Sequence, residues 1–199
     1  MASLSTYIQE KLKVDKDYNY TPEYDIKPKD KQELLKIIQQ RVIDAKGGTE
    51  KNPVDLNDID VGSISDFHNL FSYVNEWVKI VAIDITDWNV SQAENFGGLF
   101  KNCKFLKTVG DLSDWKVDKV KTMKSMFEGC HKLKFIGNIS KWNVENVMNF
   151  ASMFRSCEKL PYIDIDKWRV NNALVKDNVK MIISGTSGWK MPSWLRSIK

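Results

Sequence analysis

The residues best suited to chemistry are the three cysteines, Cys103, Cys130 and Cys157, which recur at a fixed interval of 27. Zinc ligands come in pairs about two to four residues apart, so this interval holds no metal ligand set. His131 adjoins Cys130, but the only other histidine, His68, has no matching partner. A nucleophilic cysteine needs a base and an orienting group of its own. A cysteine repeated at equal spacing reads instead as a small apolar plug at one lattice position. The string Ser184-Gly185-Thr186-Ser187-Gly188 lacks the Lys-Ser/Thr ending of a phosphate loop and reads as a turn. Asn89-Val90-Ser91 and Asn138-Ile139-Ser140 fit the glycosylation pattern but carry little weight without an export signal. No cofactor, metal or catalytic residue is expected, and the chain reads as a non-enzyme. A cryptic hydrolase is the reading set aside.

The interval of the cysteines belongs to a larger pattern. Trp88, Trp115, Trp142 and Trp168 are spaced 27, 27 and 26; Phe71, Phe100, Phe127 and Phe154 are spaced 29, 27 and 27. Leu106, Leu133 and Leu160 keep the same step. Tandem copies of one unit, about 27 residues long, therefore run from about Asp55 to Lys167. In the first copy Leu56, Ile59, Val61, Ile64, Phe67 and Leu70-Phe71 are legible. That copy puts Val74 at the cysteine position and Trp77 at the leucine position, with an insertion around Ile80 to Ile85. A tryptophan at a fixed repeat position reads as a packing ladder rather than a carbohydrate platform, and its N–H needs a partner such as an aspartate or a turn carbonyl.

Within one unit, Val120, Met123, Met126, Phe127 and Cys130 recur at spacings of three and four, which predicts a short helix. Leu133 to Ile136, ended by Gly137, predicts a short strand, and the Trp-x-Val step is expected to be extended. One unit cannot bury its apolar face alone, so neighbours must stack.

The string Trp-x-Val-x-x-Val-x-x-Met-x-x-Met-Phe-x-x-Cys-x-x-Leu-x-x-Ile resembles the bacterial surface protein repeat of BspA-like leucine-rich repeats. The resemblance covers roughly 55–170. It implies protein binding or adhesion and brings no catalytic residues. The expected fold class is an α/β repeat: a short leucine-rich-repeat-like solenoid of about four strand–helix units with helical caps at both ends. Ser3 to Leu12 also resembles the short N-terminal helices on proteins of large tailed phages, which implies a phage-encoded member and a virion-associated or host-interaction role.

Four regions are expected. Residues 1–28 form a helix, capped by Ser5 and running to about Val14, and an extended arm; Tyr7, Ile8, Leu12, Tyr18, Tyr20 and Tyr24 are its candidate docking residues. Residues 29–54 form a capping helix from about Lys29 to Ala45, stopped by Gly47-Gly48, and a linker. Residues 55–170 are the repeats. Residues 171–199 form a C-terminal cap, with a closing helix over Ala173–Ser184 and a tail of Trp189, Met191, Pro192, Trp194, Leu195 and Ile198 folded over the last coil.

Charge is uneven. Residues 1–100 hold 11 Lys+Arg against 17 Asp+Glu, and residues 101–199 hold 19 against 9. The balances, −6 and +10, sum to the net charge of +4. Self-association of acidic with basic ends follows as an option. No run is long and apolar enough to span a bilayer, and neither a signal peptide nor a lipid-anchoring cysteine opens the chain, so a cytoplasmic or virion-associated location is expected.

The candidate binding surface lies between the Leu and Ile positions. Lys79, Lys107, Lys134, Phe135 and Tyr162 form a basic and aromatic stripe if the strands stack, with a solvated face as the alternative. The expected function is a protein-interaction or structural module with a capsid, tail or host protein as partner. The alternatives are an adhesin-type surface protein, or nucleic-acid binding through Lys101, Lys104, Lys107, Lys119, Lys121, Lys124, Lys132 and Lys134, which no known motif supports.

Overall fold

The computed structural model describes residues 24–171, 179 and 182–196. The expected helix over Ser5–Val14, Tyr7, Ile8, Leu12, Tyr18 and Tyr20, and most of the closing helix over Ala173–Ser184 lie outside the described residues.

The N-terminal cap forms as helix α1, Lys31–Asp44. The Asp30 carboxylate accepts the Glu33 N–H at 2.9 Å, and the Glu33 side chain accepts the Lys29 N–H at 2.9 Å, so the first turn is satisfied from both sides. Leu34, Ile38 and Val42, one turn apart, are fully buried. Arg41 fastens the helix to the first copy, donating to Asp58 at 2.6 Å and to the Asp55 carbonyl at 3.3 Å. Gly47 and Gly48 have positive φ. A Cβ on Gly47 would strike the Lys79 carbonyl, and the Val81 and Ala82 N–H groups donate to the Gly47 carbonyl. Only glycine allows that approach.

The copies do not build the expected solenoid of four strand–helix units. Among the described residues, the strands are one parallel pair, β1 (Val54–Asp55) and β2 (Ile83–Asp84). One α-helix, α2 (Leu70–Trp77), lies within the copies. The later copies consist of turns, isolated bridges and the 3-10 turns Ile139–Lys141 and Ile165–Lys167. At the C-terminal end the described helix is the four-residue α3, Ser193–Arg196.

The physical reason lies in the N–H groups. Over Met123–Cys130 the apolar spacing mimics a helix, but alternate N–H groups leave the segment. Ser125, Phe127 and Gly129 donate to the carbonyls of Ala151, Met153 and Arg155 in the next copy, at 2.8–2.9 Å. Met126, Glu128 and Cys130 donate to carbonyls three residues back. Left-handed residues enforce this path: Gly98 and Asn102, Ser125 and Gly129, Ser152 and Ser156 all have positive φ. They flank Phe100, Phe127 and Phe154 two residues away on either side, and an α-helix cannot contain them. In the first copy Tyr73 stands where Asn102, Gly129 and Ser156 stand later. A bulky tyrosine resists positive φ, so its N–H keeps the Asn69 carbonyl at 2.9 Å and α2 forms.

The ladder continues past the expected end of the repeats. Phe154 and Ser156 donate to Ile182 and Ser184, so the C-terminal region contributes part of a further copy. The core is a column of rings. Phe71, Phe100, Phe127 and Phe154 stack with successive centroids 4.9, 5.2 and 5.7 Å apart and planes within 15°.

Candidate functional site

The lattice accounts for the residues that looked most chemical. The indole N–H groups of Trp88, Trp115, Trp142, Trp168 and Trp194 donate to the carbonyls of Leu56, Ile85, Leu112, Ile139 and Ile165, each one copy earlier. Trp194, placed in the C-terminal tail by its sequence position, thus extends the tryptophan series. The thiols of Cys103, Cys130 and Cys157 face the carbonyls of Phe71, Phe100 and Phe127, again one copy earlier. Burial pushes all three thiols up, Cys157 to about 12, so they are held as neutral donors. Among the described residues, no group of three or more His, Cys, Asp or Glu is placed to hold a metal ion.

What remains is the surface row between the Leu and Ile positions. Lys134 N–H donates to the Lys107 carbonyl at 2.9 Å, and Lys107 N–H to the Val81 carbonyl at 2.8 Å. Thr108 bridges Ala82 on one side and Phe135 on the other. Pro161 stands next in the row and has no N–H, so it cannot donate to the Lys134 carbonyl. Phe135 and Tyr162 occupy equivalent positions in adjacent copies and are both about half exposed, 49% and 46%. The Tyr162 ring is held edge-on to Trp189, with centroids 5.9 Å apart.

Glu50 joins this row from outside the repeats. Its turn is closed by reciprocal backbone bonds between Thr49 and Asn52. The carboxylate accepts Lys107 Nζ at 2.7 Å and Lys134 Nζ at 3.0 Å. These two bonds, Lys107 first, hold the Glu50 carboxyl below the usual carboxylate range. Nothing in the repeat pattern singles out Glu50, because it precedes the copies and lies 57 and 84 residues from its partners.

Lys79 sits apart from the predicted alignment. The residue level with Lys107 is Val81, and the Lys79 ammonium instead lies 3.8 Å from the centroid of the exposed Phe105 ring. The insertion expected around Ile80 to Ile85 lies earlier: the chain lengthens between Val74 and Ile80, where α2 makes its last turn, so Ile80 and not Trp77 holds the leucine position. Ile80 is buried where later copies carry leucine, and Trp77 is 75% exposed. In the predicted docking segment, Tyr24 donates to the Asp87 carbonyl at 3.2 Å, while Asp25 and Ile26 N–H groups donate to Asp58. The end of the arm therefore lies on the chain's own first copies. Of the lysines considered for nucleic acid, Lys101, Lys107, Lys121 and Lys134 are in ion pairs with Glu128, Glu50, Glu94 and Glu50.

A family described as "Mycoplasma protein of unknown function, DUF285" matches residues 45–134 and again residues 99–190. The chain belongs to this family. The overlapping matches together run from 45 to 190, across all the copies and into the C-terminal region. They support the expected relation to a bacterial repeat family in that coarse form. Neither the curated proteins nor the solved structures hold a significant match. In this DUF285 chain no helix among the described residues is long and apolar enough to cross a membrane.

Proposed function

We propose that the chain is a non-catalytic protein-binding module whose contact surface is the row carrying Lys107, Lys134, Phe135 and Tyr162. One observation carries this reading: Phe135 and Tyr162 present half-exposed rings on adjacent copies, while the core phenylalanines and the tryptophans at the repeat positions are buried. Exposed aromatics on a preorganised backbone lose little conformational entropy on binding and are typical anchors of protein interfaces. The neighbouring lysines supply a polar rim. The reading does not depend on whether the partner belongs to a virion, a host or the same cell.

Selection of a displayed random-peptide library on the chain tests it. Affinity of the selected peptides is expected to fall at least about tenfold with Phe135→Ser/Tyr162→Ser, roughly the loss of one anchor residue. Met148→Ser, on another exposed row, is expected to leave it unchanged. Peptides that bind the double variant as well as the wild type would remove the face from consideration.

A further inference from the structure

We propose that Lys107 and Lys134 form a receptor site for an acidic side chain of the partner, and that Glu50 occupies this site in the unbound chain as an internal stand-in. The proposal rests on the reading of the Phe135–Tyr162 face and adds the chemistry of what that face recognises.

Two like charges stacked one copy apart repel, and a carboxylate with two oxygens can satisfy both. Glu50 shows the geometry: one oxygen on each ammonium, at 2.7 and 3.0 Å. It comes from the turn before the repeats, so the lysines depend on a carboxylate delivered from elsewhere in the chain. The contact is also exchangeable. The Glu50 and Lys134 side chains are 43% and 55% exposed, and an exposed ion pair is held weakly. A partner carboxylate can therefore take the place of Glu50 without disturbing the core. Phe135, about half exposed, lies on the same row as Lys134, so an apolar residue of the bound segment has an exposed ring to cover. The recognised element is thus an acidic residue next to an apolar one, in a peptide segment rather than a nucleic acid.

The test uses the full chain and a fluorescein-labelled peptide of alternating glutamate and leucine, with a glutamine–leucine peptide and a single-stranded oligonucleotide as comparisons. With Glu50→Gln, affinity for the acidic peptide is expected to rise about two- to fivefold, the range an exposed ion pair supports. Lys107→Gln/Lys134→Gln is expected to abolish the preference for the acidic over the neutral peptide. The inference is overturned if Glu50→Gln leaves the affinity unchanged, if no acidic peptide binds that variant up to about 1 mM, or if the oligonucleotide gains more than the peptide. The two readings fail separately. Unchanged affinity in Glu50→Gln, with loss in Phe135→Ser/Tyr162→Ser, sinks the receptor site and keeps the face. A gain in Glu50→Gln, with no loss in the aromatic variant, keeps the receptor site and sinks the face.

Discussion

Several of the repeated apolar residues do two jobs: they fill the core, and their carbonyls or polar tips close bonds to the neighbouring copy. Phe127 stacks between Phe100 and Phe154, and the carbonyl of Phe127 receives the Cys157 thiol. Phe127→Ala is therefore expected to cost about 3–5 kcal/mol, as for a large buried aromatic, read as a lower urea midpoint with an unchanged slope. Melting at the wild-type midpoint would show that the ring does not sit in the column. The core residues were legible in the sequence because equal spacing identifies a lattice position whatever backbone carries it. That is why Cys103, Cys130 and Cys157 were separable from reactive thiols. Glu50 was not legible, because its partners are set by the turn at Thr49–Asn52, which no repeat encodes.

At the scale of the element, apolar spacings of three and four fit a helix and also fit a turning segment whose alternate N–H groups bond across copies. The distinction rests on small residues at the positive-φ positions. Asn102, Gly129 and Ser156 allow the left-handed step, and Tyr73 does not. Gly129→Asn is expected to cost less than Gly129→Val, since Asn102 holds the equivalent left-handed place, although either new Cβ must push aside the Asn102 Oδ1 2.8 Å away. Gly129→Val is expected to cost about 1–2 kcal/mol, the price of a branched residue forced left-handed. Thermal melts of the pair decide this, and equal losses would contradict the assigned φ. The same reasoning explains why the predicted strands shrink to bridges. Each row pairs with its neighbours over only one or two residues before the chain turns at a glycine such as Gly110 or Gly137.

Across the whole molecule, the copies are joined by backbone ladders and ring stacks, and a set of carboxylates with lowered pKa ties the arm, the cap helix and the copies to their neighbours. At Asp60 the Gly62 N–H is the main cause, with Lys27 adding to it. At Asp66 and Glu128 burial opposes the shift. Lys31 and the His68 N–H outweigh it at Asp66, and Ser125, Lys101 and Arg155 outweigh it at Glu128. Folded values below those of the unfolded chain mean that this stabilisation is complete above the ordinary carboxylate range, about 4. It is lost as pH falls through the folded values. The urea midpoint is expected to drop as pH is lowered below about 4, and a midpoint independent of pH there would count against these contacts. The central claim is that in the later copies alternate N–H groups bond across copies, and no α-helix takes them up. Its most direct test is the scalar coupling across hydrogen bonds in solution NMR. The Phe127 amide nitrogen is expected to couple to the Met153 carbonyl carbon, 26 residues ahead. Coupling of Phe127 to Met123, four residues back as in an α-helix, would contradict the account.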